Sequence, residues 1–170
     1  MSTVVSSERG QLEEIFKEHA RFMYRTAYGV VGRHEDAEDI VQSIFLRLMR
    51  QQCPPDLGKN PEAYLYRAAV NRALDTIKSR RREILIDDDR CFDRPAPIDS
   101  FNADLHRRLY EAIAELKPDA AHIVILRYMH DKSDAEIAKM LGVSRGVIAI
   151  KLFRSRARLK KLLSASLGER

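Results

Sequence analysis

From Leu12 to Leu163 the apolar residues recur at intervals of three and four, and almost nowhere at two. Helices need the first spacing and half-buried strands the second, so the chain reads as all-α. Leu12, Ile15, Phe16, Phe22, Met23, Ala27 and Val30 mark the inner face of a helix over about Ser7 to Val31, stopped by Gly32. Ala37, Ile40, Val41, Ile44, Phe45 and Leu48 do the same over about Glu35 to Arg50. "QQCPPDLGKN" reads as a loop, with Asn60 as N-cap and Pro61 opening a helix to about Arg82 that buries Leu65, Ala68, Ala69, Leu74 and Ile77. Further helices are expected at Asn102 to Glu115 and Asp119 to Tyr128, divided by Pro118.

Charge divides these helices into two groups. Lys78, Arg80, Arg81 and Arg82 form a basic cluster, acids follow in "EILIDDDRCFDRPAPIDS", and the balance is basic again from Arg145. With Pro95 and Pro97 and little periodicity, residues 83–102 read as a flexible acidic linker. The expected architecture is two small helical domains, 7–82 and 103–165, each marginal in size for a core of its own.

Composition excludes several classes of protein. The chain has 170 residues, 45% hydrophobic and 32% charged. No stretch approaches the ~18 apolar residues of a membrane span, and "MSTVVSSERG" has no basic start followed by an apolar run. Cys53 and Cys91 stand without CxxC spacing, as reduced thiols of a cytoplasmic protein would. "IDDD" points its carboxylates in different directions and lacks a paired His, so no metal is expected. The chain offers no nucleophile–base set, so no enzyme activity and no cofactor are expected either. A net charge of +5 permits a polyanionic partner without identifying one.

The C-terminal stretch "SDAEIAKMLGVSRGVIAIKLFRSRARLKKLL" is more specific. Ser133 and Glu136 fit a capping box, Ile137, Ala138 and Leu141 an apolar face, Gly142 a left-handed stop and Ser144 the next cap. On the turn alone, a helix-turn-helix and an ordinary helical hairpin fit equally. The following helix favours the first. Ile148, Leu152, Leu159 and Leu163 form its inner stripe, while Lys151, Arg154, Arg158 and Lys161 form a separate one. No acid occurs between Glu136 and Glu169, although surface helices ordinarily mix signs. A one-sign stripe repels itself unless an anion neutralises it, and DNA phosphate is the obvious anion.

The N-terminal half adds two motifs. "HEDAEDIVQSIFLRLMR" gathers Glu35, Asp36, Glu38, Asp39 and Gln42 at a helix start, where helix-dipole chemistry alone would account for the acids and protein docking would use them. "NPEAYLYRAAVNRALDTIKSRRR" interleaves Tyr64 and Tyr66 with Arg67, Asn71 and Arg72, a pattern that suits unstacked bases beside phosphates or a plain amphipathic helix. Together with "ELKPDAAHIVILRYMHDKSDAEIAKMLGVSRGVIAIKLFRSRARLKKL", these motifs resemble the bacterial sigma factors of the extracytoplasmic-function (ECF) group over about Leu12 to Leu163, the linker excepted.

That resemblance implies a dissociable subunit of core RNA polymerase that selects and helps melt promoter DNA, usually restrained by an anti-sigma factor. It implies that Asp36, Glu38, Asp39 and Gln42 face the clamp helices of the polymerase's largest subunit. Tyr64, Arg67, Asn71 and Arg72 would lie near the minus-ten strand, and "QQCPPDLGKN" would supply a pocket for a flipped-out base. Ser144, Arg145, Lys151, Arg154 and Arg158 would lie along the minus-thirty-five element. Val147 and Ala149 stand where members often carry Thr and Lys, and Ala121 where arginine is common, which shifts readout toward thymine methyls or DNA shape. A stand-alone helix-turn-helix regulator would explain the C-terminal half but leave "DAEDIVQ" and the aromatic–basic helix without a task.

Overall fold

The computed structural model describes residues 2–50, 54–86 and 100–168. They form eight helices and no strand: α1 Ser2–Val31, α2 His34–Arg50, α3 Pro55–Lys59, α4 Pro61–Ile86, α5 Ser100–Ala114, α6 Pro118–Tyr128, α7 Asp134–Leu141 and α8 Arg145–Gly168. No helix among these residues is long and apolar enough to cross a membrane. The chain groups into two compact units, Met1–Ala73 and Leu74–Arg170.

In the first unit, α1 and α2 form a hairpin across Gly32 and Arg33. Gly32 adopts φ 71, and its N–H donates to the Tyr28 carbonyl at 2.8 Å. Met23, Ala27 and Val30 meet Ala37, Ile40, Ile44 and Leu48 in the core. Thr26 is buried among them, and its hydroxyl is satisfied by the Phe22 carbonyl at 2.8 Å. Phe16 packs on Phe45 with ring centroids 4.7 Å apart. Asn60 caps α4 as expected, its side-chain oxygen accepting from the Ala63 N–H at 3.1 Å.

Three expectations need correction here. Within "QQCPPDLGKN", residues 51–53 lie outside the described set, but Pro55–Lys59 is a helix. Pro54 holds the extended conformation that precedes a helix, Pro55 opens it, and Leu57 is fully buried beneath it. Tyr66, grouped with base-contacting residues, is 0% exposed and stacks on Phe22 at 5.9 Å. Two residues along a helix is a rotation of about 200° from Tyr64, which carries Tyr66 to the inner face. Finally, α4 runs to Ile86 and α5 begins at Ser100, so both ends of the expected linker are helical. Ser79 donates to Glu83 one turn ahead, carrying α4 past Arg82. Residues 87–99, with Asp87, Asp88, Asp89, Cys91, Asp93, Pro95 and Pro97, lie outside the described residues, as does Cys53.

In the second unit, α6 is buried continuously from Ala121 to Leu126, with Ile113, Ile137, Ile148 and Leu152 around it. Ala121, noted where arginine is common, is 0% exposed. A position with room for a methyl in the core takes no part in touching DNA. Ser133 and Glu136 complete the capping box: the Ser133 N–H donates to the carboxylate at 2.8 Å, and the Glu136 N–H donates to the Ser133 hydroxyl at 3.3 Å. The Ser133 hydroxyl, which donates to the same carboxylate at 2.6 Å, and then the Ser133 N–H hold the Glu136 carboxyl below its ordinary range. Gly142 ends α7 at φ 70, ψ 34. Along α8, Ile148 and Leu152 are buried, while Leu159 and Leu163 are only half-buried. Ser155 lies on that inner stripe too, its hydroxyl turned to the Lys151 carbonyl at 2.7 Å.

Candidate functional site

The expected site residues fall on three surfaces. On α2, Asp36 is half-buried and 3.9 Å from Arg33, whereas Glu38, Asp39 and Gln42 are exposed. Glu35, Glu38 and Asp39 form no ion pair among the described residues. At 100° per residue, Asp39, Gln42 and Leu46 share one outer face. Leu46 is 49% exposed and, with Ser43, Arg47 and Arg50, lines a shallow depression beside the acids. Its exposure was hidden in the sequence because Ile44, Phe45 and Leu48 surround it with genuinely inward residues.

On α4, Arg67, Asn71 and Arg72 are exposed and Tyr64 is half-buried. Tyr64, Arg67 and Asn71 are spaced three and four, which places them on the same outer face, with Arg72 at its flank.

On α8, Ser144 caps the first turn by accepting from the Val147 N–H at 3.4 Å. Arg154 and Arg158 are exposed and form no ion pair among the described residues. Lys151 differs: its ammonium is held 3.1 Å from Asp119 of α6. Arg145 is exposed but nine residues before Arg154, a rotation of about 180°, so helix geometry does not put it on their stripe. The residues that do share the stripe begin with Val147, 38% exposed, and Ile150, 53% exposed. Ile150 escaped sequence reasoning because an isoleucine inside an amphipathic helix reads as core. Arg156 is committed elsewhere, donating to the Tyr128 hydroxyl at 2.6 Å with its guanidinium 5.8 Å from that ring.

Two family models match this chain: Sigma-70 region 2 over residues 15–83, and Sigma-70 region 4 over residues 106–159. The chain is 31% identical over 166 residues to the ECF RNA polymerase sigma factor SigE of Mycolicibacterium smegmatis, covering 92% of this chain and 63% of SigE. The chain belongs to the ECF sigma factors. It is also 27% identical to the ECF sigma factor SigL of Mycobacterium tuberculosis, over 89% of this chain and 88% of SigL. Among solved structures, the sigma factor RpoE of Bartonella quintana, in complex with the anti-sigma factor NepR, aligns with 93% of this chain and 97% of its own at a TM-score of 0.49 and 23% identity. In this ECF sigma factor, the region 2 match holds α2 and most of α4, and the region 4 match holds α6, α7 and the basic part of α8.

Proposed function

We propose that this ECF sigma factor binds core RNA polymerase, recognises promoter DNA through two surfaces and starts transcription there. Asp36, Glu38, Asp39 and Gln42 dock α2 on the polymerase. Tyr64, Arg67, Asn71 and Arg72 of the 7–82 domain engage the minus-ten strand, where aromatic and basic groups side by side suit unstacked bases. Ser144, Arg145, Lys151, Arg154 and Arg158 of the 103–165 domain engage the minus-thirty-five duplex, with Val147 and Ile150 against base edges and the cations on phosphate. The chain between Ile86 and Ser100 tethers the two domains. Nucleotide addition belongs to the polymerase, the chain works in the cytoplasm, and an anti-sigma factor restrains it.

The observation that carries this reading is that Glu35, Glu38 and Asp39 stand exposed on α2 and form no ion pair among the described residues. A DNA-binding regulator needs the basic face of α8 but has no use for an acidic docking face. The test is transcription by core polymerase on a genomic fragment library, with and without the chain. New transcripts sharing one upstream pair of elements are expected. Duplex binding without retention of core polymerase would leave the stand-alone regulator as the better account.

The Lys151–Asp119 pair yields a second expectation. Phosphate must compete with the Asp119 carboxylate for Lys151, so Asp119→Asn should strengthen duplex binding by about 5-fold at 0.15 M salt, the contribution of one phosphate contact. Fluorescence anisotropy against salt checks this, and unchanged affinity would remove Lys151 from the DNA face.

A further inference from the structure

The last turns of α1 and the first residue of α2 carry three aromatic rings that lie outside the core. Tyr24 and Tyr28, one helical turn apart, stack with centroids 6.1 Å apart and planes within 5° of parallel. His34, the first residue of α2, lies 4.5 Å from the Tyr28 ring and 6.2 Å from Tyr24. The Tyr24 hydroxyl and His34 Nδ1 are hydrogen-bonded, which fixes the imidazole against both rings. Tyr28 is 38% exposed and His34 is exposed. Rings of this size normally contribute by burial. Here they are ordered against one another at a surface that leaves Tyr28 and His34 exposed.

The acids beside the stack come from the first turns of α2, while α1 places the exposed Arg25 three residues before Tyr28. Glu35 follows His34 directly and Glu38 lies one helical turn further on; both are exposed and form no ion pair among the described residues. Desolvation, and then the Glu38 carboxylate, hold the Tyr24 phenol above its ordinary range, so Glu38 and the rings share one electrostatic neighbourhood. The cation of the turn itself, Arg33, is directed to Asp36.

We infer that Tyr24, Tyr28 and His34, with Glu35 and Glu38 beside them, form a seat for a guanidinium on the core-polymerase surface that α2 docks against. This rests on the docking role proposed for α2. An aromatic face attracts a cation through its quadrupole, and the planar guanidinium both stacks and presents edge N–H groups to a carboxylate. The seat offers both features: ring faces ordered in advance and carboxylates at their rim. It is continuous with the docking face because Glu38 belongs to both. Pre-ordered aromatic rings also lose little side-chain entropy on binding, which is why Tyr and Arg dominate the residues that anchor interfaces.

The test measures binding of the full chain to core polymerase by competition with a labelled wild-type copy. Tyr28→Phe keeps the ring and should bind as wild type. Tyr28→Leu keeps apolar bulk but removes the π face, and should weaken binding about 5- to 10-fold. Each variant is checked by circular dichroism and thermal melting, since a purely structural stack would lower the melting midpoint without moving affinity. Leu matching Tyr in affinity overturns the guanidinium seat. Asp39→Arg runs in the same assay: loss of binding there with Tyr28→Leu unaffected defeats the seat alone. A wild-type chain that fails to bind core polymerase defeats the docking role and the seat together.

Discussion

Asp39→Arg is expected to reduce association with core polymerase more than 100-fold while leaving the fold intact. Asp39 is exposed, makes no ion pair among the described residues, and sits on the outer face of α2 with Gln42 and Leu46. Removing it breaks no internal contact, and the first turn of α2 keeps Glu35 and Asp36 for the helix dipole. The loss therefore falls on the interface. Truncation to Ala removes an attraction, about tenfold in affinity. Reversal to Arg turns that attraction into repulsion, and like charges brought together cost several kcal/mol; each ~1.4 kcal/mol is a further factor of ten. The order wild type, Ala, Arg is thus as informative as the size of the effect. Competition binding with labelled wild-type chain reads it, alongside circular dichroism. A folded Asp39→Arg protein with unaltered affinity would remove α2 from the interface.

The double change Arg154→Ala/Arg158→Ala is expected to weaken duplex binding about 30-fold at 0.15 M salt. Each phosphate contact contributes about 0.9 to the log–log salt slope, so losing two should flatten it by about 1.8. Both guanidiniums are exposed and without an ion pair among the described residues, so neither must leave an internal partner to reach phosphate. Arg156→Ala is the natural control. That side chain is held by Tyr128, and its loss should leave the slope unchanged. Anisotropy titrations of the full chain over a salt series separate the outcomes. An unchanged slope in the double variant would make the stripe ordinary solvated surface.

Much of this was legible in the sequence because long amphipathic helices announce their period many times over. Ser133 with Glu136, Asn60 before Pro61, and Gly142 before Ser144 were readable too, since each cap is chemistry between near neighbours. What escaped depends on contacts distant in sequence or on exposure. Helix α3 holds one fully buried residue, Leu57, and a single apolar position has no period. Tyr66 looked like a partner for bases because composition registers an aromatic among arginines but not the rotation that turns it toward Phe22. Lys151 kept its place on the basic stripe, yet its partner Asp119 comes 32 residues earlier. The Tyr24 and Tyr28 spacing was visible all along. Only the packed hairpin reveals that those rings are stacked on His34 rather than buried.

The turn at Gly142 has a consequence for how this protein can vary. A β-carbon at that position would meet no heavy atom within 4 Å, so space does not restrict it. Backbone conformation does, because φ 70 lies in the left-handed region. An L-residue there costs about 1–2 kcal/mol whatever its volume, least for Asn and most for β-branched side chains. The hinge between α7 and α8 therefore filters substitutions by backbone preference even where a β-carbon has room. Asn can drift in at little cost, whereas the β-branched Val or Ile would re-aim the basic helix that follows.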